Sequence, residues 1–157
     1  MYNKQFMELA VKEAREGILQ HDGGPFGAVV VRNGEVIASG HNHVLSQNDS
    51  TCHGEIDAMR KAEWKLGTHD LSGCEIYTTG EPCPMCLAAV LWANIDKVYY
   101  GCRAEDEAEI GFRDLKFSEM LGSDFGSGLP DGFLEERDRE MCLEVFKEYA
   151  GMEKEIY

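Results

Sequence analysis

The sequence is short of positive charge. Its 15 lysines and arginines face 29 aspartates and glutamates, a formal net charge of −14, and no basic run occurs anywhere. A duplex or a long structured RNA is held mainly by Lys and Arg neutralising phosphates. Nucleic acid is therefore not an expected partner, and a small, roughly neutral ligand is. Long hydrophobic runs are missing too. Nothing approaches the ~18 consecutive apolar residues of a membrane span, so no membrane partner is expected. The opening stretch, MYNKQFMELAVKEAREG, carries acids and has no long apolar core, so it does not read as a secretion signal. Internal repeats and long linkers are absent as well. The remaining material, 157 residues of which 43% are hydrophobic, is enough for one domain with its own core.

Six cysteines without an export signal point to a reducing compartment, the cytoplasm. Cys52, Cys74, Cys102 and Cys142 stand alone and read as buried free thiols. Cys83 and Cys86 differ: in GEPCPMC only two residues, Pro84 and Met85, lie between them, and Pro82 precedes Cys83.

Residues 3–17 carry a helical pattern, with Phe6, Ala10 and Ala14 on one stripe and Gly17 as its stop. GGPFGAVVVRNGEVIASGHN predicts a hairpin, with strands over 26–32 and 35–41 joined by an Asn33-Gly34 turn. Ser50 or Thr51 can cap a helix over 52–66 that ends at Gly67. CEIYTTG reads as a strand. PMCLAAVLWA reads as a helix with Pro84 in its first turn, and KVYYG as another strand. Residues 104–121 suggest short helical pieces, 123–132 a flexible connection, and 134–150 an amphipathic helix. Alternating strands and helices imply an α/β sandwich with a part-parallel sheet.

His53 opens one predicted helix, with Glu55 two residues on; Cys83 and Cys86 open the next. Successive βα units bring their helix N-termini to one sheet edge. One imidazole and two thiolates would meet there, leaving a fourth metal position to water, as catalytic zinc sites do. Helix N-termini favour thiolates. Zinc acidifies such a water, and Glu55 is placed to take its proton. Two other readings stay open at this point. The cysteines could form a redox pair. The zinc could instead be structural, in a binding module, with His21, His41, His43 or Cys52 as the fourth ligand.

CHGE (52–55) and EPCPMC (81–86) match the pattern H-x-E…P-C-x-x-C of zinc nucleobase deaminases. The chain thus resembles the cytidine deaminase-like superfamily. GGPFGAVVV (23–31), GHN (40–42), the WA of LWA (91–93), AEIGFRD (108–114) and the final tyrosine are similar to the bacterial guanine deaminases within it. The resemblance implies a three-layer α/β/α sandwich around a mixed, part-parallel five-stranded sheet. It implies one zinc per chain on His53, Cys83 and Cys86, with Glu55 shuttling protons. The substrate-binding residues it implies are Phe26, Asn42, Gly54, Trp92, Asp114 and Tyr157. The implied reaction is guanine to xanthine plus ammonia; another nucleobase, a nucleoside or tRNA adenosine is the alternative within the superfamily. It also implies a homodimer, with a C-terminal segment (about 122–157) that packs on or exchanges with a partner. Position 54 is glycine where the family commonly has alanine, which predicts a little extra room there.

Overall fold

The computed structural model describes residues 1–122 and 124–157. The chain runs through α1 (Lys4–Leu19), β1 (Gly27–Arg32), β2 (Glu35–His41), α2 (Val44–Gln47) and α3 (Gly54–Leu66). It continues through β3 (Cys74–Gly80), α4 (Pro84–Trp92), β4 (Lys97–Cys102), α5 (Ala104–Glu109) and α6 (Asp114–Leu121). It ends with β5 (Leu134–Glu136) and α7 (Arg139–Ala150). Among the described residues no helix is long and apolar enough to cross a membrane.

The sheet has five strands in the order β2-β1-β3-β4-β5. β1 is antiparallel to both β2 and β3, whereas β3, β4 and β5 are parallel. Four strands therefore point one way, and their carboxyl ends share one edge. Asn33 and Gly34 both adopt positive φ, 52° and 75°, as the two-residue turn of a β1–β2 hairpin requires.

Strand alternation divides the core in two. Val29, Val31, Tyr77 and Tyr99 point to one face, where α1 and α7 supply Met7, Ala14, Val145 and Phe146. Ala28, Val30, Ile76 and Val98 point to the other, where α3 and α4 supply Ala58, Ala62, Leu87 and Val90. The result is the expected α/β/α sandwich.

Three local expectations need correction. Gly17 does not stop α1, which runs on to Leu19. Its lack of a side chain serves packing instead, because a Cβ there would come within 2.7 Å of the His41 ring. α3 starts at Gly54 rather than at 52, with His53 at its N-cap. The helix expected over 134–150 is split. Leu134–Glu136 pairs with β4, and Asp138, at φ 49°, separates that strand from α7. Leu-Glu-Glu favours helix locally. Here Arg137 N–H donates to the Tyr100 carbonyl at 2.8 Å, and Lys97 and Arg103 pair with Glu135 and Glu136, so the sheet edge overrides that preference. Within the expected connection over 123–132, position 123 lies outside the described residues. The remainder turns on short-range bonds such as Ser127 N–H to the Asp124 carbonyl, 3.0 Å.

Candidate active site

His53 and Cys83 occupy the same structural position. Each is the N-cap of a helix, His53 after β2 and the short α2, Cys83 directly after β3, and each has extended backbone before its helix. Pro84 starts α4, as its fixed φ allows. The following turn brings the Cys86 N–H onto the Cys83 sulfur at 3.4 Å. Cys83 Sγ lies 3.5 Å from His53 Nδ1, and the donor atoms of His53, Cys83 and Cys86 all lie within 4.8 Å of one another.

This triad fits a zinc ion. Bond lengths of about 2.0 Å to nitrogen and 2.3 Å to sulfur, at tetrahedral angles, separate such a pair by roughly 3.5 Å. Among the described residues no fourth His, Cys, Asp or Glu donor joins the three. His41 and His43, two of the candidates for a fourth ligand, are engaged elsewhere. His41 bonds Glu13 (2.9 Å) and Asp22 (2.8 Å), and His43 stacks on its ring.

The electrostatics divide the thiols. The bond from Cys86, opposed by burial and helped by His53, brings Cys83 down to about 4. Cys86 moves the other way, raised by the same bond and by burial. Burial opposes charge on the His53 ring, but Cys83 outweighs it and lifts His53 to about 8. Glu55, in the first turn of α3, is buried, and its Oε2 accepts from the Cys86 thiol at 3.5 Å. Burial, and then the charge on Cys83, push Glu55 up to about 7.

Above the triad opens a cavity of about 220 Å³. Phe26, Asn42, Asp114 and Tyr157 all line it. Phe26 is braced edge-on by Phe112 and Phe146. The Asn42 side-chain oxygen Oδ1 accepts from Val44 N–H at 3.0 Å, which leaves its side-chain N–H groups as donors for the cavity. Tyr157 reaches the cavity of its own chain: its hydroxyl accepts from Gly24 N–H at 2.9 Å, and its ring meets Phe112 edge-on.

Trp92 is not in this cavity, which corrects the expectation for this residue. It ends α4, about 12 Å along the helix from Pro84 at ~1.5 Å per residue. It is 86% exposed and lines a separate surface hollow with His69 and Ala89. Gly54 gives no extra room either. A Cβ there would lie 2.8 Å from the Phe26 carbonyl oxygen, so main chain already fills the space. Sequence reading passed over Ser50, Glu81, Glu107, Phe112, Arg113 and Phe117, which also line the cavity. Phe112 and Arg113 stand inside the AEIGFRD stretch, which was the available signal for them. Glu107 gave none, being one acid among many.

Residues 1–102 match the family described as the cytidine and deoxycytidylate deaminase zinc-binding region. The chain is 47% identical over 114 residues to the guanine deaminase of Bacillus subtilis (strain 168), covering 73% of each. It is 36% identical over 143 residues to a tRNA-specific adenosine deaminase of Agrobacterium fabrum (strain C58 / ATCC 33970), covering 91% of this chain and 93% of that one. Among solved structures, a guanine deaminase from Nitrosomonas europaea superposes with a TM-score of 0.83 at 31% identity, over 96% of this chain and 86% of its own.

Proposed function

The chain belongs to the cytidine and deoxycytidylate deaminase family and is a zinc-dependent hydrolytic deaminase, and within that family we propose that it deaminates a purine base, guanine, to xanthine and ammonia. The observation that carries the reading is the pairing of Asn42 and Asp114 in one cavity with Glu55. Asn42 offers donors, and a carboxylate at Asp114 only accepts. Guanine presents a carbonyl oxygen and ring N–H groups to such a pair; the pyrimidine ring of adenine has no N–H to offer. The cavity is smaller than the roughly 300–1,000 Å³ of most ligand sites, which suits a single base. The guanine deaminase relatives support the same substrate.

His53, Cys83 and Cys86 would hold one zinc per chain. Zinc bound there supplies Lewis acidity that brings the pKa of a water toward neutrality. Glu55 takes the proton of the attacking water and hands it to N3 of the base as the C2–O bond forms. It then moves the second proton to the exocyclic nitrogen. The C2–N bond breaks, ammonia leaves, and the carbonyl of xanthine closes. Phe26 and Tyr157 wall the base, while Asn42 and Asp114 fix its edge.

A tRNA adenosine reading is favoured by the Agrobacterium relative, which matches over more of the chain. The net charge of −14 and the lack of a basic run weigh against it. One assay separates the two: absorbance and ammonia release by the zinc-loaded protein with guanine, guanosine, adenine, adenosine, cytosine, cytidine and tRNA. Turnover of guanine well above the others supports the reading. Turnover of tRNA that weakens steeply with salt overturns it. We also propose a homodimer, supported by the exposed apolar side chains Leu91 and Trp92 on α4 and Met120 and Leu121 on α6. A monomer by light scattering would reject that assembly.

A further inference from the structure

Glu107 poses a problem that the reaction does not absorb. It is 1% exposed, and among the described residues its Oε2 is the buried side-chain polar atom left without a partner. The carboxyl cannot easily move away, because its other oxygen sits against β3. A Cβ at Gly80 would come within 2.4 Å of Oε1.

Among the described residues no Lys, Arg or His pairs with Glu107. The arginines flanking its segment, Arg103 and Arg139, are taken by Glu136 and Asp106. The groups that bear on it are acidic from every side: Asp114 at the start of α6, Glu55 on α3 and Glu81 after β3. The Cys102 thiol of β4 feels its charge in turn. A buried carboxylate with no counter-ion and acidic neighbours is strongly disfavoured, and such a group takes up a proton instead. Burial first, and then Asp114, raise its proton affinity.

A neutral carboxyl has one O–H to donate. Asp114 is the carboxyl whose charge bears most strongly on Glu107, and both line the cavity. Two carboxyls that share one cavity without a counter-ion do not both ionise freely. The proton belongs on Glu107. Asp114 is less buried and begins α6, where free N–H groups favour a negative charge.

We propose that Glu107 is a positioning residue: held protonated at neutral pH, it donates its O–H to Asp114 and fixes that carboxylate as an acceptor aimed at the base. The role of Asp114 as base-binding group rests on the guanine reading; the proton on Glu107 does not.

The test compares Glu107→Gln, which keeps a donor, with Glu107→Leu, which keeps the bulk and loses it. Both are made as zinc-loaded protein, with thermal melting as the check on folding. On the base that the wild type turns over, Glu107→Gln should lose no more than about fivefold in kcat/KM. Glu107→Leu should lose about 10- to 100-fold, mainly through KM. Carbon-13 labelling of glutamate and aspartate carboxyls supplies the readout that activity cannot. The wild-type signal abolished in Glu107→Gln should sit at the protonated position at neutral pH. The Asp114 signal should shift in Glu107→Leu and hold in Glu107→Gln. Equal damage in the two variants, full activity in Glu107→Leu, or an ionised Glu107 signal would each overturn the proposal. If no purine is turned over, the guanine reading fails, and the carbon-13 signals still decide the Glu107–Asp114 bond.

Discussion

His53 Nδ1 and Cys83 Sγ stand 3.5 Å apart, although 30 positions separate them in the chain. Two helix N-caps on neighbouring units produce that closeness, so the pair does not depend on a mobile loop. Cys83→Ala removes one of the three donors that fit a zinc ion. Zinc content, measured by atomic emission after extensive dialysis, should fall from about one ion per chain to near zero. Stoichiometric zinc in that variant would break the ligand assignment.

Glu55 accepts from the Cys86 thiol and ligates nothing in the triad. Glu55→Gln keeps the shape and the hydrogen bond while removing the group that moves protons. Its kcat should drop by about 10²- to 10⁴-fold with zinc content and melting temperature close to wild type. Steady-state kinetics beside metal analysis makes the comparison. Undiminished turnover would take Glu55 out of the chemistry.

Asp114→Asn places a donor where the substrate reading needs an acceptor. A site built to pair a substrate N–H loses most for the substrate that has one. Guanine should lose about 10²-fold or more in kcat/KM, and the ratio between guanine and purines without that N–H should contract. An unchanged ratio across the same panel of bases would remove Asp114 from recognition.

Stability should depend on pH through His41, a buried ring between Glu13 and Asp22 that also faces the stacked His43 ring. The backbone N–H of His41 bonds Asp57, which in turn pairs with Lys61. The Glu13 bond, against burial and with help from Asp22, raises His41 above its ordinary value. That contribution is complete below the ordinary histidine range, about 6.5, and disappears as pH rises through the folded-state value. The carboxylates act with opposite sign. Glu13 is lowered, chiefly by its bond to His41. Asp22 is lowered although burial opposes it, again through His41. Their contribution is present above the ordinary carboxylate range and is lost as pH falls through their folded-state values. Urea midpoints should therefore be highest in mild acid. His41→Phe should cost about 2 kcal/mol or more there, and less as pH turns alkaline. A pH-independent difference between wild type and variant would contradict this account.

The meeting of His53, Cys83 and Cys86 could be read from spacing because it is set locally. A histidine and a C-x-x-C pair each at a helix start need only the strand–helix units around them. The hairpin was legible for the same reason, since Asn33 and Gly34 supply the positive φ values themselves. What escaped was tertiary. Leu134–Glu136 joins the sheet through charges and main-chain groups of β4, far away in sequence. Trp92 belongs to a stretch similar to guanine deaminases, yet helix pitch carries it away from the cavity. Glu107 has no distinguishing neighbour in sequence, and only burial beside Asp114 sets it apart.

The donors of the triad come from α3 and α4, both on the same side of the sheet, while α1 and α7 cover the reverse side and contribute none. An ion there would rivet one layer of the sandwich and leave its counterpart to apolar packing and to bonds such as those of Glu13 with His41 and Arg15 with Glu148. Chelation should consequently be felt lopsidedly: amide exchange in α3 and α4 would quicken first, with the opposite layer still slow.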